Sequence, residues 1–361
     1  MKAEIHQQHK TQFFPELHSL RIRMTQLRVG LVGAGGITRV HVPAWLALGA
    51  HITVYSVEGA EELARRHGLS VADSMEELLA SCDIVDICTP TTTHRDLAVA
   101  AAQAGKDVVC EKPLGRSVAE GLEIKEAVSR AGTQLYPGHV VRYFPAYMAA
   151  KEAIDQGRLG ALAVLRFYRG GAGPKSDWFY DESVSGGIIA DQMIHDLDQA
   201  RWLAGEVTSV YAVQNAVRSP ETPAEAHPRR VSAHVTLTHK SGAISHIQGV
   251  WGPPTMPFRT SFHVAGDAGA LSHDSGADAS LDKDLVLDAT ESYLPPPDLL
   301  ESPFLTEIRD FANARLGRSE SRVTLEDGVM AVGLADAALE SVATGMVVPF
   351  SEASIHPAER V

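Results

Sequence analysis

The chain has 361 residues, 45% of them hydrophobic and 21% charged, a size and composition that suit two globular domains, each with its own core. Its 45 acidic side chains outnumber 32 basic ones, and the net charge of −13 excludes a global attraction to nucleic acid or to an anionic membrane. No apolar run reaches the length of a membrane span, and Cys82, Cys88 and Cys110 have neither the paired spacing of a zinc site nor the density of a disulfide scaffold.

Residues 1–25 carry no continuous apolar segment and no small-residue cleavage site. They are expected to form a poorly patterned extension rather than a signal peptide, with Met24 as an alternative start. A cytoplasmic protein with no resident metal is expected.

From residue 26 to residue 143, short apolar β-rich runs alternate with helical patterns, the signature of βαβ units and a parallel sheet. Strands are predicted over 27–32, 51–55, 83–88, 107–110 and 133–136, with helices over 37–48, 60–66, 75–80, 94–104 and 118–131. The strands read as nearly continuous apolar runs, as those of a sheet covered on both faces do. From residue 144 to residue 350 the pattern changes. Pro145 opens a helix to residue 156, and an alternating strand follows over 162–168. A loop rich in Gly, Pro and Asp leads to a single helix over 187–203. Strands are predicted over 207–215, 230–239, 243–251 and 260–265, and two helices, 304–316 and 325–341, close the domain. Successive strands without intervening helices imply a mainly antiparallel sheet. Residues 218–228 and 295–297 read as surface connections. The expected fold is therefore α/β: an N-terminal Rossmann dinucleotide-binding domain, then an α+β domain with a mainly antiparallel open sheet.

The first motif, Gly33-Ala34-Gly35-Gly36-Ile37-Thr38, lies between the first strand and its helix. A pyrophosphate needs backbone that it can approach closely and amides at a helix N-terminus that donate to it. Gly33 permits the tight turn, Gly35 removes a side chain that would meet the phosphates, and Gly36 and Ile37 lead into the helix. The bland alternative is a plain strand–turn–helix connection. At the end of the second strand an acidic residue would hold the ribose hydroxyls of NAD. Ser56 stands there instead, with Glu58 two residues on, so both NAD and NADP remain open as cofactor.

Cys110-Glu111-Lys112-Pro113 ends a sheet strand, the edge at which open α/β sheets bind ligands. A lysine there can donate to a substrate oxygen and stabilise charge developing on it; the alternative is a solvated surface lysine. Farther on, the spacing of four in Asp191 and His195 puts both on one helical face, with Asp198 a turn beyond. Histidine is the usual proton carrier near neutral pH, and a nearby carboxylate can orient it. The competing reading is an i,i+4 ion pair on a helix surface. Three further residues are candidates for lining a substrate pocket: His139 and Arg142 after the fifth strand, and Trp178, whose aromatic face suits a sugar ring but equally suits a core.

Together these residues resemble the Gfo/Idh/MocA oxidoreductases, named for glucose–fructose oxidoreductase, inositol dehydrogenase and a rhizopine-catabolism protein. The resemblance extends from about residue 26 to residue 350. It is carried by Glu111-Lys112-Pro113, Asp191 with His195, Thr89-Pro90 with His94, and the turn Gly157-Arg158-Leu159-Gly160. It implies that Lys112, Asp191 and His195 form the catalytic group and that Thr89, Pro90, His94 and Glu111 border the cofactor. It also implies an open second sheet used to form a homodimer or homotetramer, and a cis Lys112–Pro113 peptide. The expected activity is NAD(P)-dependent interconversion of a secondary alcohol and a ketone on a sugar, inositol or similar polyol. Two alternatives stay open: a non-catalytic sugar- or nucleotide-binding regulator of the same fold, and a sugar–sugar oxidoreductase that keeps its cofactor bound. The departures from the family pattern are Thr38, Ser56 and Thr91.

Overall fold

The computed structural model describes residues 27–215, 231–276 and 301–355. The extension at 1–25 and the connections at 218–228 and 295–297 lie outside these residues.

The first unit alternates strand and helix. In order it runs β1 (Arg28–Val32), α1 (Thr38–Ala47), β2 (His51–Tyr55), α2 (Ala60–His67), β3 (Ser70–Val71), α3 (Met75–Ser81), β4 (Ile84–Ile87), α4 (His94–Gln103), β5 (Asp107–Glu111), α5 (Val118–Ala131) and β6 (Leu135–Gly138). The strands pair in parallel in the order β3-β2-β1-β4-β5-β6, the doubly wound Rossmann arrangement. Every residue of β4 is buried, as helices on both faces require. Local chemistry sets several boundaries. The Ser74 hydroxyl accepts the Glu77 amide at the start of α3, the Ser117 hydroxyl accepts the Glu120 amide at the start of α5, and Gly132 ends α5 in the left-handed region.

The second unit opens with α6 (Pro145–Asp155) and β7 (Leu162–Ala172), then three helices: α7 (Glu182–Ser185), α8 (Gly187–Asp191) and α9 (Ile194–Ala204). It continues through β8 (Val207–Gln214), β9 (Val231–His239), β10 (Ile244–Gly252), β11 (Arg259–Gly266) and β12 (Ala270–Asp274). Then come α10 (Pro303–Arg315), α11 (Leu325–Thr344), the short strand β13 (Val348–Pro349) and a final helical turn, α12 (Glu352–Ile355). The sheet order is β12-β11-β7-β10-β9-β8-β13, antiparallel except where β10 runs parallel to β7. One face packs on helices through Leu165, Ile247, Val235 and Val210. The other carries the row Tyr211–Thr236–His246–Arg166–His263–Ser272, register partners across six strands.

Two differences from the sequence reading bear on the site. The helix expected over 187–203 is broken into α8 and α9. The Ile188 carbonyl accepts both the Gln192 and Met193 amides, at 3.0 and 2.9 Å, which takes the backbone off the regular i,i+4 ladder. Gln192 is drawn inward: its Nε2 donates to the Arg169 carbonyl at 2.9 Å and its Oε1 accepts Trp251 Nε1–H at 3.0 Å. Apolar spacing continues unbroken through this segment, so periodicity gives no sign of the break. The second difference is α10. It follows the second sheet in sequence, yet Ile308, Phe311 and Ala312 join Leu31, Trp45 and Val54 in the core of the first unit.

Candidate functional site

Between β1 and β4 the strand order of the first sheet changes direction, and the loops after β1, β2, β4 and β5 meet beside this point. Gly33 has φ +105°, and a Cβ there would lie 2.5 Å from the Cys88 carbonyl oxygen, so only glycine fits. Gly35 and Gly36 are exposed, and a Cβ at either would meet nothing within 4 Å, which leaves an open cradle at the mouth of α1. Thr38 closes the turn, its hydroxyl donating to the Gly35 carbonyl at 2.7 Å. The Gly33 amide donates to the Tyr55 carbonyl at 2.9 Å and so ties this turn to the end of β2, where Ser56 is half-buried. These features fit a dinucleotide: bare backbone, a helix N-terminus and a strand-end hydroxyl.

After β4, Thr89 and Pro90 lead into α4. His94 is buried, with Nε2 2.9 Å from the Thr89 carbonyl and Nδ1 2.7 Å from the Pro113 carbonyl. It ties the β4 and β5 loops together from behind. The Lys112–Pro113 peptide is cis, as the resemblance implies.

Lys112, Glu111 and His195 line one cleft, whose walls include Ile37, Phe304 and Tyr147. The Lys112 ammonium donates to the Asp191 carbonyl at 2.7 Å and lies 3.4 Å from the Asp191 carboxylate. In an uninterrupted helix that carbonyl would belong to the i,i+4 ladder; at the break between α8 and α9 it receives the lysine. His195 lies in the first turn of α9. Burial pushes its pKa well below the usual histidine value, with the Lys112, Arg169 and His139 charges adding to the shift, so the ring is neutral at pH 7.

The structure brings Lys112, Asp191 and His195 together but places other candidates elsewhere. Asp198 does not extend the Asp191–His195 face. It is buried against Arg142, with contacts of 2.8 and 2.5 Å, and Arg142 also reaches Asp327 at 3.1 Å and the Arg322 carbonyl. The expectation that Arg142 lines a pocket is therefore corrected: its guanidinium is consumed by carboxylates in the interior. His139 is likewise buried, its Nδ1 3.8 Å from Asp198, and burial lowers its pKa. Trp178 is half-buried in a 3-10 turn over Asp177–Tyr180, stacked on Phe179 with ring centroids 3.8 Å apart.

Several residues at the site escaped sequence reading. Arg169 lines the cleft and forms a two-pronged pair with Asp196, at 2.8 and 2.9 Å. Behind Glu111, His41 of α1 is fully buried between Asp86 and Glu111. A signal existed for Asp86, a carboxylate inside the otherwise apolar strand β4; none pointed to its partner. The His41, Asp86 and Cys88 polar atoms lie within 4.8 Å of one another, as metal ligands would. Hydrogen bonds account for this cluster: Asp86 Oδ2 lies 2.9 Å from His41 Nδ1 and accepts Trp45 Nε1–H at 2.8 Å.

Residues 27–139 match the family model for Gfo/Idh/MocA oxidoreductases, NAD-binding Rossmann fold, and residues 147–272 match the model for the C-terminal domain of the same family. The chain is 32% identical over 335 residues to inositol 2-dehydrogenase of Rhizobium meliloti (strain 1021), a match covering 88% of this chain and 97% of the relative. It is 29% identical over 331 residues to myo-inositol 2-dehydrogenase of Thermotoga maritima, covering 88% and 96%. Among solved structures, a myo-inositol dehydrogenase from Corynebacterium glutamicum ATCC 13032 superposes with a TM-score of 0.73 at 28% identity, covering 90% of this chain and 99% of that one.

Proposed function

The chain belongs to the Gfo/Idh/MocA oxidoreductase family, and from that premise we propose that it interconverts a ring hydroxyl and a ketone on an uncharged polyol or sugar, with Lys112, Asp191 and His195 as the catalytic group. The observation that carries this reading is that Lys112 and His195 line one cleft beside the glycine turn. When bound, the nicotinamide supplies or accepts the hydride. The chain's own residues handle the proton and the charge. His195, neutral at pH 7, takes the hydroxyl proton on oxidation and returns it on reduction. The Lys112 ammonium, steadied by the Asp191 carbonyl, donates to the reacting oxygen and stabilises its developing charge. Asp191 balances the Lys112 charge and orients substrate hydroxyls.

Charge matching supports an uncharged substrate. Lys112 is paired with Asp191, and Arg169 with Asp196. A uronate or a sugar phosphate would have to compete with these carboxylates for its counter-ion, whereas a neutral polyhydroxy ring would not. For the cofactor, Ser56 at the end of β2 puts no carboxylate against a 2′-phosphate, so we propose that NADP is used alongside NAD. Three buried thiols, Cys82, Cys88 and Cys110, suit a reducing compartment, and no helix among the described residues is long and apolar enough to cross a membrane. We assign the protein to the cytoplasm, and its outward sheet face to self-association.

The test is a panel of inositols, aldoses, ketosugars and matching uronic acids with NAD and with NADP, followed by absorbance of the reduced nicotinamide. We expect kcat/KM for a neutral ring to exceed that for its uronate by about tenfold or more. Turnover confined to anionic sugars, or none on any member, would overturn the reading.

A further inference from the structure

His41 and its partner Asp86 are both fully enclosed in the first unit. His41 lies on the second turn of α1, with Nδ1 2.9 Å from Asp86 Oδ2 and Nε2 3.1 Å from Glu111 Oε1. A neutral imidazole has one N–H and could serve only one of these carboxylates; the imidazolium serves both. The second oxygen of Glu111 accepts the backbone N–H of Lys112 at 3.1 Å. A continuous chain of contacts therefore runs from Asp86 through His41 and Glu111 to the lysine that lies against Asp191. Glu111 also sits where Gly138 leaves room: a Cβ there would lie 3.1 Å from the same Oε1.

The surrounding charges agree with a cation at this point. Burial works against a charged His41. The adjacent Asp86 carboxylate, with Cys88 and the hydrogen bonds to both, nevertheless holds its pKa well above the usual histidine value. Burial likewise favours a protonated Glu111, but the His41 hydrogen bond and charge, with Lys112 adding to them, keep its pKa below the ordinary carboxylate value. From α10, Glu307 faces the same cluster. It is fully buried with no hydrogen-bond partner among the described residues, and burial, with Glu111 nearby, pushes its carboxyl well above the ordinary carboxylate range. His94 and His139 also feel the Glu111 charge, and burial lowers the pKa of each. The contacts set one imidazole, His41, between two carboxylates, Asp86 and Glu111. Phe304, also from α10, places its ring 6.3 Å from that of His41 and forms part of the cleft wall.

We propose that His41 is a positioning residue of the reaction: its ring, bridging Asp86 and Glu111, clamps Glu111 and, through it, fixes where the Lys112 ammonium stands in the cleft. The proposal rests on the assignment of Lys112 to the catalytic group. His41 does not touch the cleft itself. It acts by keeping Glu111 ionised and correctly turned, and Glu111 holds the Lys112 backbone.

His41→Asn removes the charge while keeping a polar side chain. We expect kcat to fall by about 10- to 100-fold, because a lysine displaced by a fraction of an ångström loses its alignment with the reacting oxygen. We expect the substrate KM to change by less than about threefold. Without its cation Glu111 takes up a proton more readily, so the acid limb of the variant's pH–rate profile should move upward by about one pH unit or more relative to wild type. A role in folding alone would lower Tm and leave the shape of that profile in place. Neutron diffraction on the unaltered protein near pH 8 provides a second measurement that does not depend on the variant's folding or on finding the substrate. Deuterons on both ring nitrogens of His41 are expected. A His41→Asn enzyme with unchanged kcat and pH profile overturns the proposal, and so does a bare ring nitrogen in the neutron map. Failure of every polyol to turn over would instead sink the proposed function and leave the neutron result to judge His41.

Discussion

In the proposed reaction Lys112 and His195 have separable roles, and their substitutions should separate them. The Lys112 ammonium already has a donor contact to the Asp191 carbonyl, so its substitution deletes a fixed positive charge rather than a mobile one. Lys112→Ala is expected to lower kcat at saturating cofactor by about 10²- to 10³-fold, the cost of losing one donor to developing negative charge. Lys112→Arg should not restore it, because a planar guanidinium presents its donors differently from a compact ammonium. Unchanged turnover in the alanine variant would mean that Lys112 only anchors cofactor. For His195, the depressed pKa sets the sign of the pH effect. The proposed mechanism needs the base form for oxidation, and that form dominates above the lowered pKa. Oxidation by wild type should therefore hold level from about pH 8 down to about pH 6.5 and fall only below that, whereas reduction should gain as pH drops. His195→Ala should lower kcat by about 10²- to 10⁴-fold with cofactor affinity nearly unchanged. An oxidation profile already falling at about pH 7.5 would contradict the neutral-histidine assignment.

At the scale of elements, the strand–turn–helix from β1 to α1 separates the two uses of glycine. Gly33→Ala puts a Cβ against a backbone carbonyl at a positive φ, so it should destabilise the fold itself and lower Tm. At Gly35 a Cβ would meet nothing within 4 Å, so Gly35→Val should leave Tm within a degree or two while NAD affinity collapses. Calorimetry beside cofactor titration distinguishes them, and a Gly35→Val protein that binds NAD normally would remove that turn from the cofactor site. Most elements were legible because their signals are local. The predicted strand 51–55 and helix 118–131 coincide with β2 and α5, since continuous apolar runs and capped amphipathic segments report burial directly. The strands β3 and β12 escaped notice: β3 is a two-residue exposed edge, and β12 has no buried residue to produce a pattern. The break between α8 and α9 was illegible for another reason. Ile188, Ile189, Met193, Ile194 and Leu197 are all buried, so the apolar face looks continuous whether the backbone ladder holds or not.

At the scale of the molecule, the outward face of the second sheet combines exposed Tyr211, Val213 and Ile244 with a polar concavity around Arg166, His234 and His246. If copies associate through this face, Thr236→Arg, in the middle of the cross-strand row, should convert the assembly to monomers. Light scattering coupled to size exclusion would read the mass, and an oligomer of unchanged mass would exclude this face. The same scale explains how α10 reaches the site. Its residues pack into the first core beside Trp45, and it brings Phe304 to the cleft wall and Glu307 to the buried cluster around His41.

By itself the sequence determined the doubly wound sheet, the glycine turn and the strand-end Glu111-Lys112-Pro113, because each depends on residues within a few positions of one another. Tertiary structure decided which charge answers which. His41 and Glu111 are 70 positions apart, Lys112 and Asp191 are 79 apart, and Arg142 and Asp327 are 185 apart. Three aspartates on one stretch, Asp191, Asp196 and Asp198, look interchangeable in sequence, yet they serve Lys112, Arg169 and Arg142 in turn. That division follows from the direction in which each side chain leaves the broken helix. Burying a carboxylate is costly unless a cation meets it, so only the folded chain could select the partners.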